Sequence, residues 1–387
     1  MKTEDTIRVN ALPVKTYRFL KVNDSALAVP ESLVQYRDDW SALQIVKPPL
    51  KRHPDQRGGG ASPDQNPADD PGVSLTRSPF SALPQEIREI RTGMGEAADA
   101  LFEEAGIESA LLTVSAFGAT MMLPAEITCG SSALSSLVIR MEAHSEAAVI
   151  LDIRGGETGC AAAKTFFGLS VRVIAEQGAT LHLILVQRLD GRVAHFEDIG
   201  AVCAEGAGVD MTTLTLGGGQ NHLGARATLM GDNSFFYNLS GYYCGGSASL
   251  DLNFIADQQG RDTISRMIFR GVLTDRASKL FRGTIDFKRG ATGSVGDEQE
   301  DTLLLSPDVV NKAVPLILCG EEDVEGRHGA TIGRLSEEML FYMCARGYSE
   351  DDARRLIVQA RLKSVAAEIP DDRLRWEVEQ WIEKEII

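Results

Sequence analysis

The sequence predicts a mainly β fold built as a solenoid, and three observations carry that expectation. From about residue 109 to 331, short apolar runs alternate with Gly and small polar residues, as in Ser136-Leu137-Val138-Ile139, Ala148-Val149-Ile150-Leu151 and Leu181-His182-Leu183-Ile184. Their β-branched content is what strands favour. A turn signature recurs between these runs, at Ser145-Glu146-Ala147-Ala148, Gln177-Gly178-Ala179-Thr180, Glu205-Gly206-Ala207-Gly208 and Gly231-Asp232-Asn233-Ser234. Its period of roughly 25–35 residues falls in the window of solenoid repeats. Aromatic residues make up only 6% while Gly numbers 37, which suits tightly stacked layers and tight corners. One repeat supplies too little apolar surface to stand alone, so stacked neighbours make the core. A β-sandwich is the structural alternative, because its turn signals are similar.

Taken in order, residues 1–108 read as an N-terminal region, 109–333 as the solenoid core and 334–387 as a C-terminal helical domain. Residues 1–50 mix Pro with charged and apolar residues, compatible with short helices or turns. The stretch 51–78 is rich in Gly, Pro and Asp and nearly empty of large apolar residues; it reads as a disordered linker. A helix is expected from Leu83-Pro84, with Ile87, Ile90, Met94, Ala98, Leu101 and Phe102 at helical spacing, ending near Gly106. After Gly333 the period changes again. Ser336-Glu337-Glu338, Ser349-Glu350-Asp351-Asp352 and Pro370-Asp371-Asp372 are start signals for three helices, and Gly347 can stop the first in a left-handed conformation.

The formal net charge of −16 argues against nucleic acid as a main partner, since phosphate binding needs a basic surface. No run of ~18 apolar residues suggests a membrane span. Met1-Lys2-Thr3-Glu4-Asp5 lacks the apolar core of a signal peptide, so a cytoplasmic location is expected. The six cysteines, Cys129, Cys160, Cys203, Cys244, Cys319 and Cys344, form no C-x-x-C pair. Disulfides are not expected in a reducing compartment, and each cysteine reads first as a small buried hydrophobe.

The segment Pro315-Leu316-Ile317-Leu318-Cys319-Gly320-Glu321-Glu322-Asp323-Val324-Glu325-Gly326-Arg327-His328-Gly329-Ala330-Thr331-Ile332-Gly333, followed by Leu340-Phe341-Tyr342-Met343-Cys344-Ala345-Arg346-Gly347, resembles the end of the SufB/SufD family, the paired scaffold proteins of the SUF iron–sulfur system. Asn221-His222, Gly224, Gly231-Asp232 and Lys279-Leu280-Phe281-Arg282-Gly283-Thr284-Ile285 add to the resemblance upstream. Val309 stands where SufB proteins carry a cysteine, and His328-Gly329-Ala330-Thr331 is as in SufD proteins, so the chain is more similar to the SufD branch. Many SufD proteins have a Cys two residues before that His, and here it is Gly326. The resemblance implies a right-handed parallel β-helix and a non-catalytic scaffold role. It also implies pairing with a SufB-like subunit, docking of a SufC-like ABC-type ATPase, and a transient iron–sulfur cluster at a subunit interface. A homodimer is a further possibility, and flavin binding is undetermined.

His328 is the first site candidate, because a neutral imidazole is an iron ligand and a proton acceptor near pH 7. The resemblance places it, with Gly329, Ala330 and Thr331, at the partner interface. Leu340, Phe341, Met343, Leu356 and Ile357 are the candidate ATPase-docking residues, in excess of what one small helical unit buries. Cys319 and Cys344 read as packing residues, and His222 as polar trim of the solenoid. His144, His182 and His195 show no metal spacing. Gly217-Gly218-Gly219 lacks the Lys-Ser/Thr and helix of a phosphate loop and reads as a corner. Two other function classes fit a solenoid: a polysaccharide lyase or hydrolase, and a structural adaptor with no cluster role. The first needs clustered carboxylates with Arg or Lys on one face, and Arg154, Arg172 and Arg192 suggest no shared face with acids.

Overall fold

The computed structural model describes residues 5–16, 18–36, 44–46, 72–155 and 165–386. The chain opens with an antiparallel pair, β1 (Asp5–Val9) and β2 (Ser25–Val29), separated by a 3-10 turn at Arg18–Leu20. The described part of residues 1–50 therefore holds strands rather than α-helices. Val9, Leu27 and Val29 are buried, an alternation that one face of a strand can satisfy and a helix cannot. Two short strands follow, β3 (Val34–Gln35) and β4 (Gln44–Val46). The next, β5 (Val73–Pro79), corrects the expected linker: its last residues form a strand that pairs antiparallel with β6 (Glu108–Val114). Residues 51–71, and Cys160, lie outside the described residues.

The helix expected over 83–106 is two helices, α1 (Gln85–Arg88) and α2 (Glu96–Glu104). Between them the chain lies flat on a sheet, and tertiary hydrogen bonds replace helical ones. Gly93 N–H donates to Ile199 O at 3.1 Å and Asn253 Nδ2 donates to Gly93 O at 2.8 Å. Close approach requires glycine on both sides: a Cβ on Gly93 would lie 2.0 Å from the Ala225 nitrogen, and one on Gly224 would lie 2.5 Å from the Met94 nitrogen.

From β6 onward the chain winds a parallel β-solenoid of about seven turns. After β6 come β7 (Phe117–Ile127), β8 (Ser132–Met141), β9 (Glu146–Gly155), β10 (Thr165–Ala175), β11 (Thr180–Arg188), β12 (Val193–Cys203) and β13 (Gly208–Thr215). The later turns are β14 (Gln220–Leu229), β15 (Phe235–Cys244), β16 (Ser249–Gln258), β17 (Ile264–Leu273), β18 (Ser278–Phe287), β19 (Ser294–Leu304), β20 (Val310–Cys319) and β21 (Val324–Gly333). Even-numbered strands stack in one sheet and odd-numbered strands in the other. Register is maintained from turn to turn, with Leu223 paired to Leu252 and Leu252 to Phe281. Inward side chains interlock across the two sheets: Phe269 sits 4.8 Å from Phe254 and 4.5 Å from Phe281, ring centre to ring centre.

The recurring turn signature is one corner repeated. His144, Gly178, Gly206 and Asn233 all have φ between 59° and 66°, the left-handed region open to Gly and Asn. Each donates its N–H to the next corner: His144 to Gln177 O, Gly178 to Glu205 O, Gly206 to Asp232 O, and Asn233 to Arg261 O, at 2.8–2.9 Å.

Both outer faces are covered. N-terminal residues, among them Phe80, Ile87, Met94, Leu101 and Phe102, pack on Leu134, Val138, Phe166 and Phe196 of the even sheet. Three C-terminal helices follow the last strand: α3 (Glu337–Cys344), α4 (Glu350–Ala366) and α5 (Asp372–Glu385). Ser336, Ser349 and Asp371 cap them, each accepting from a backbone N–H three residues on. Gly347, with φ of 101°, follows the first. Val358, Leu362, Val365 and Val378 cover Ile184, Leu214 and Val272 on the odd sheet. No helix among the described residues is long and apolar enough to cross a membrane.

The N-terminal cover carries buried charge. Arg172, on β10, pairs with Asp99 of α2 at 2.6 Å. Asp198, on β12, accepts from Met94 N–H at 2.8 Å. Burial, and then the nearby Asp99 charge, push the Asp198 carboxyl up to about 7. A carboxyl with a folded-state pKa above its unfolded value keeps its proton longer when folded, so its contribution to stability falls as pH rises from about 4 to 7. Asp198→Asn retains an acceptor for Met94 and removes the ionisation. It should raise the thermal unfolding midpoint at pH 8 and flatten its decline between pH 5 and 7. An unfolding series in which the variant melts below the wild type at pH 8 would contradict this.

Candidate functional site

The first turns and the last turn of the solenoid end differently. At the start, the antiparallel strands β5 and β4 pair with β6 and β7. At the other end β20 and β21 are the edges of their sheets. Helices cover the flanks, so this end is open: Val310 and Ile332 are exposed, and Val314, Leu316 and Leu318 are only half-buried. Two neighbouring strand edges with free backbone donors and acceptors are a template for another chain.

His328 lies in the middle of β21, exposed, in register with Glu298 of β19. Gly326 and Ala330 align with Gly296 and Glu300. From Ser294 to Thr302 the buried residues of β19 are Ser294, Gly296, Glu298, Glu300 and Thr302, and Leu303 is buried on the other face under the C-terminal helices, which fixes the even positions as the inward ones. Paired residues of a parallel ladder share a face, so His328 stands on the inward side, over Glu298, with no further turn above it among the described residues. Arg327, on the outward side, pairs with Glu325 at 2.8 Å. With Arg270, Asp297, Asp301 and Thr331 it lines a shallow outer depression of about 500 Å³. Gly329, Ala330 and Thr331 are all exposed.

Beneath this end the interior turns polar. Lys279 and Glu300 are fully buried and form an ion pair. Lys279 also donates to Tyr242 Oη at 3.1 Å, and Tyr242 meets Thr302 Oγ1 at 2.7 Å. Tyr242 reaches them by crossing Gly271, where a Cβ would lie 1.8 Å from its ring. Burial pulls the Lys279 ammonium down to about 7. Glu298, 2% exposed, has no hydrogen bond or ion pair among the described residues, and its carboxylate packs against Gly283 of the facing strand, where a Cβ would lie 1.8 Å from Oε2. Burial, and secondarily the Asp297 charge, push its carboxyl up to about 8. Composition cannot separate these inward acids from their outward neighbours in the run Asp297-Glu298-Gln299-Glu300-Asp301; strand phase does, and the Gly296-x-Glu298-x-Glu300-x-Thr302 alternation is the available signal.

Other candidates fall elsewhere. Cys319 and Cys344 are exposed, correcting their reading as packing residues. Cys319 ends a strand that no later turn covers, and it lies on the sheet opposite His328. Cys203 and Cys244 are buried and Cys129 is half-buried. Val309 packs partly against the core. His222 is buried under the N-terminal strand pair, beside Asp251, which accepts from Arg282 at 2.8 Å and from Asn10 and Ser25. Burial lowers the His222 pKa. His182 is also buried, yet Asp210 at 3.4 Å and Glu146 at 3.8 Å outweigh the burial and raise it to about 9. Gly217, Gly218 and Gly219 form a corner lining a cleft of about 620 Å³ beside Arg188, Tyr243 and Trp381. Arg154, Arg172 and Arg192 do have acid partners, Asp152, Asp99 and Asp190, but Arg172 lies on the even sheet and Arg154 on the odd one. Among the described residues no three His, Cys, Asp or Glu side chains converge to hold a metal.

Of the docking candidates, Leu340 is buried, Met343 and Ile357 are half-buried, and Phe341 and Leu356 are exposed. Met339, Tyr342 and Tyr348 add to the exposed set. Phe341 is 76% exposed, an aromatic surface that the chain itself leaves open.

Residues 126–361 match the family model described as SUF system FeS cluster assembly, SufBD core domain. An iron–sulfur cluster assembly SufBD family protein of Mycobacterium tuberculosis is 26% identical over 288 residues, which cover 72% of this chain and 70% of that protein. The iron–sulfur cluster assembly protein SufD of Bacillus subtilis is 28% identical over 127 residues, covering 33% of this chain and 29% of that protein. A SufBD family protein of Staphylococcus saprophyticus is 23% identical over 200 residues, covering 52% of this chain and 43% of its own length. The family match spans most of the solenoid, the open end and the first helices after it, and the chain belongs to the SufBD family of the SUF system for iron–sulfur cluster assembly.

Proposed function

We propose that this chain is a non-catalytic, SufD-like scaffold subunit that joins a SufB-like subunit through the open end of its solenoid. The observation that supports this most is the last turn, where two exposed strand edges flank an exposed His328 with a polar interior beneath it. Iron and sulfide are cargo here. His328 supplies one ligand or base at the interface, and the partner supplies the thiolate, because Val309 occupies the position of the SufB cysteine. Gly329 and Ala330 let a partner backbone approach closely.

His328→Ala removes an exposed imidazole that holds no structural hydrogen bond among the described residues. Stability should change by less than about 0.5 kcal/mol, and the complex with the SufB-like subunit should form. Iron and sulfide recovered on the reconstituted complex should fall several-fold. Wild-type iron and sulfide content in an intact His328→Ala complex would reduce the residue to trim.

The C-terminal helices dock a SufC-like ATPase through Phe341, Leu356 and their exposed neighbours. Deleting everything after Gly333 is too blunt a test, because α4 and α5 cover the odd sheet. Phe341→Asp leaves that cover in place. It should abolish co-purification with the ATPase while stability stays within about 0.5 kcal/mol of wild type. Undiminished capture of the ATPase by this variant would exclude α3 as the docking element.

A further inference from the structure

One layer below the open end, the solenoid holds two buried carboxylates and one buried ammonium. Lys279 is committed to Glu300. That leaves Glu298, 2% exposed, with no cation, donor or hydrogen-bond partner among the described residues. A buried carboxylate without a partner is costly, and Glu298 is held in that position. Gly283 on the facing strand has no side chain where the carboxylate rests, and any Cβ there would displace it. The layer has other unfilled polar valences: Glu300 Oε2 and both side-chain polar atoms of Asn311, which is in register with Lys279, are buried without partners. Directly above Glu298 on the same inward face stands His328, also without a partner among the described residues. Neighbouring parallel strands lie ~4.8 Å apart, so an imidazole and a carboxylate stacked in this way can share one ion.

We propose that Glu298 and His328 form a two-ligand site for a divalent transition-metal cation, ferrous iron as cargo, at the mouth of the solenoid. This rests on the reading of His328 given above and adds the anionic ligand to it. Imidazole with carboxylate is a donor set suited to borderline divalent metals. The cation supplies the partner that the Glu298 carboxyl lacks. Two protein ligands leave coordination positions open for water or for groups of the docked partner, as a site that passes its ion onward requires.

The test is anaerobic titration of the purified full-length chain with ferrous ion by calorimetry, with cobalt(II) absorption spectra as a second readout of the ligand set. The wild type should bind one ion, and Glu298→Gln and His328→Ala should each weaken binding at least tenfold. Asp297→Asn, on the outward side of the same strand, should bind as the wild type does. Glu298→Gln keeps the shape and removes an unpaired buried ionisable group, so its unfolding midpoint should equal or exceed that of the wild type, and its lost binding is then not a folding defect. A wild-type chain that binds no ferrous ion, or a Glu298→Gln chain that binds it undiminished, overturns the inference. Either result stands apart from the interface reading, which is decided by the iron and sulfide yield of the His328→Ala complex.

Discussion

In a solenoid each turn is covered by the next, and this condition governs the whole molecule. Phe254, Phe269 and Phe281 can interlock because strands continue on both sides of them. The same condition fails once, necessarily, at the last turn. There the side chains that would be core residues elsewhere are half-buried or exposed, and both sheets present an edge in one place. At the opposite end, the antiparallel strands β5 and β4 are the outermost strands instead. Asymmetry between the two ends, rather than any single cleft, gives the molecule a direction.

The polar layer under the open end is the least stable way to fill that space. Apolar residues of equal volume would avoid desolvating Lys279, Glu298 and Glu300. Lys279 and Glu300 compensate one another, with Tyr242 and Thr302 completing the hydrogen bonds. Glu298 has no such compensation. Local rules are broken at the open end of the solenoid, where the proposed interface lies, and such violations belong where they serve function.

The sequence exposed the repeating corner, because a left-handed conformation leaves its mark in Gly178, Gly206 and Asn233, and it exposed the caps of the C-terminal helices. It misled over residues 83–106, where helical spacing of apolar residues met a flat sheet. There Gly93 and Gly224 allow contact so close that hydrogen bonds to the sheet outweigh those of a helix. It also misled over Cys319 and Cys344, since apolar neighbours signal burial only if another layer follows. His328 was singled out through family resemblance alone; by residue type it cannot be told from His182, held between two carboxylates, or His222, sealed under the N-terminal strands. Glu298 was hidden inside an acidic run whose alternation has meaning only once the strand phase is known.

The N-terminal strand pair is fastened to strands formed far later in the chain. Arg282 donates to Val22 O at 2.6 Å across 260 residues of sequence, and Asp251 holds Asn10 and Ser25. On the ribosome, these first strands emerge long before their binding surface exists. At roughly 5–20 residues per second, they wait on the order of 10–50 s for Asp251 and Arg282. The opening segment of the chain is thus fastened late, only after Asp251 and Arg282 have been made.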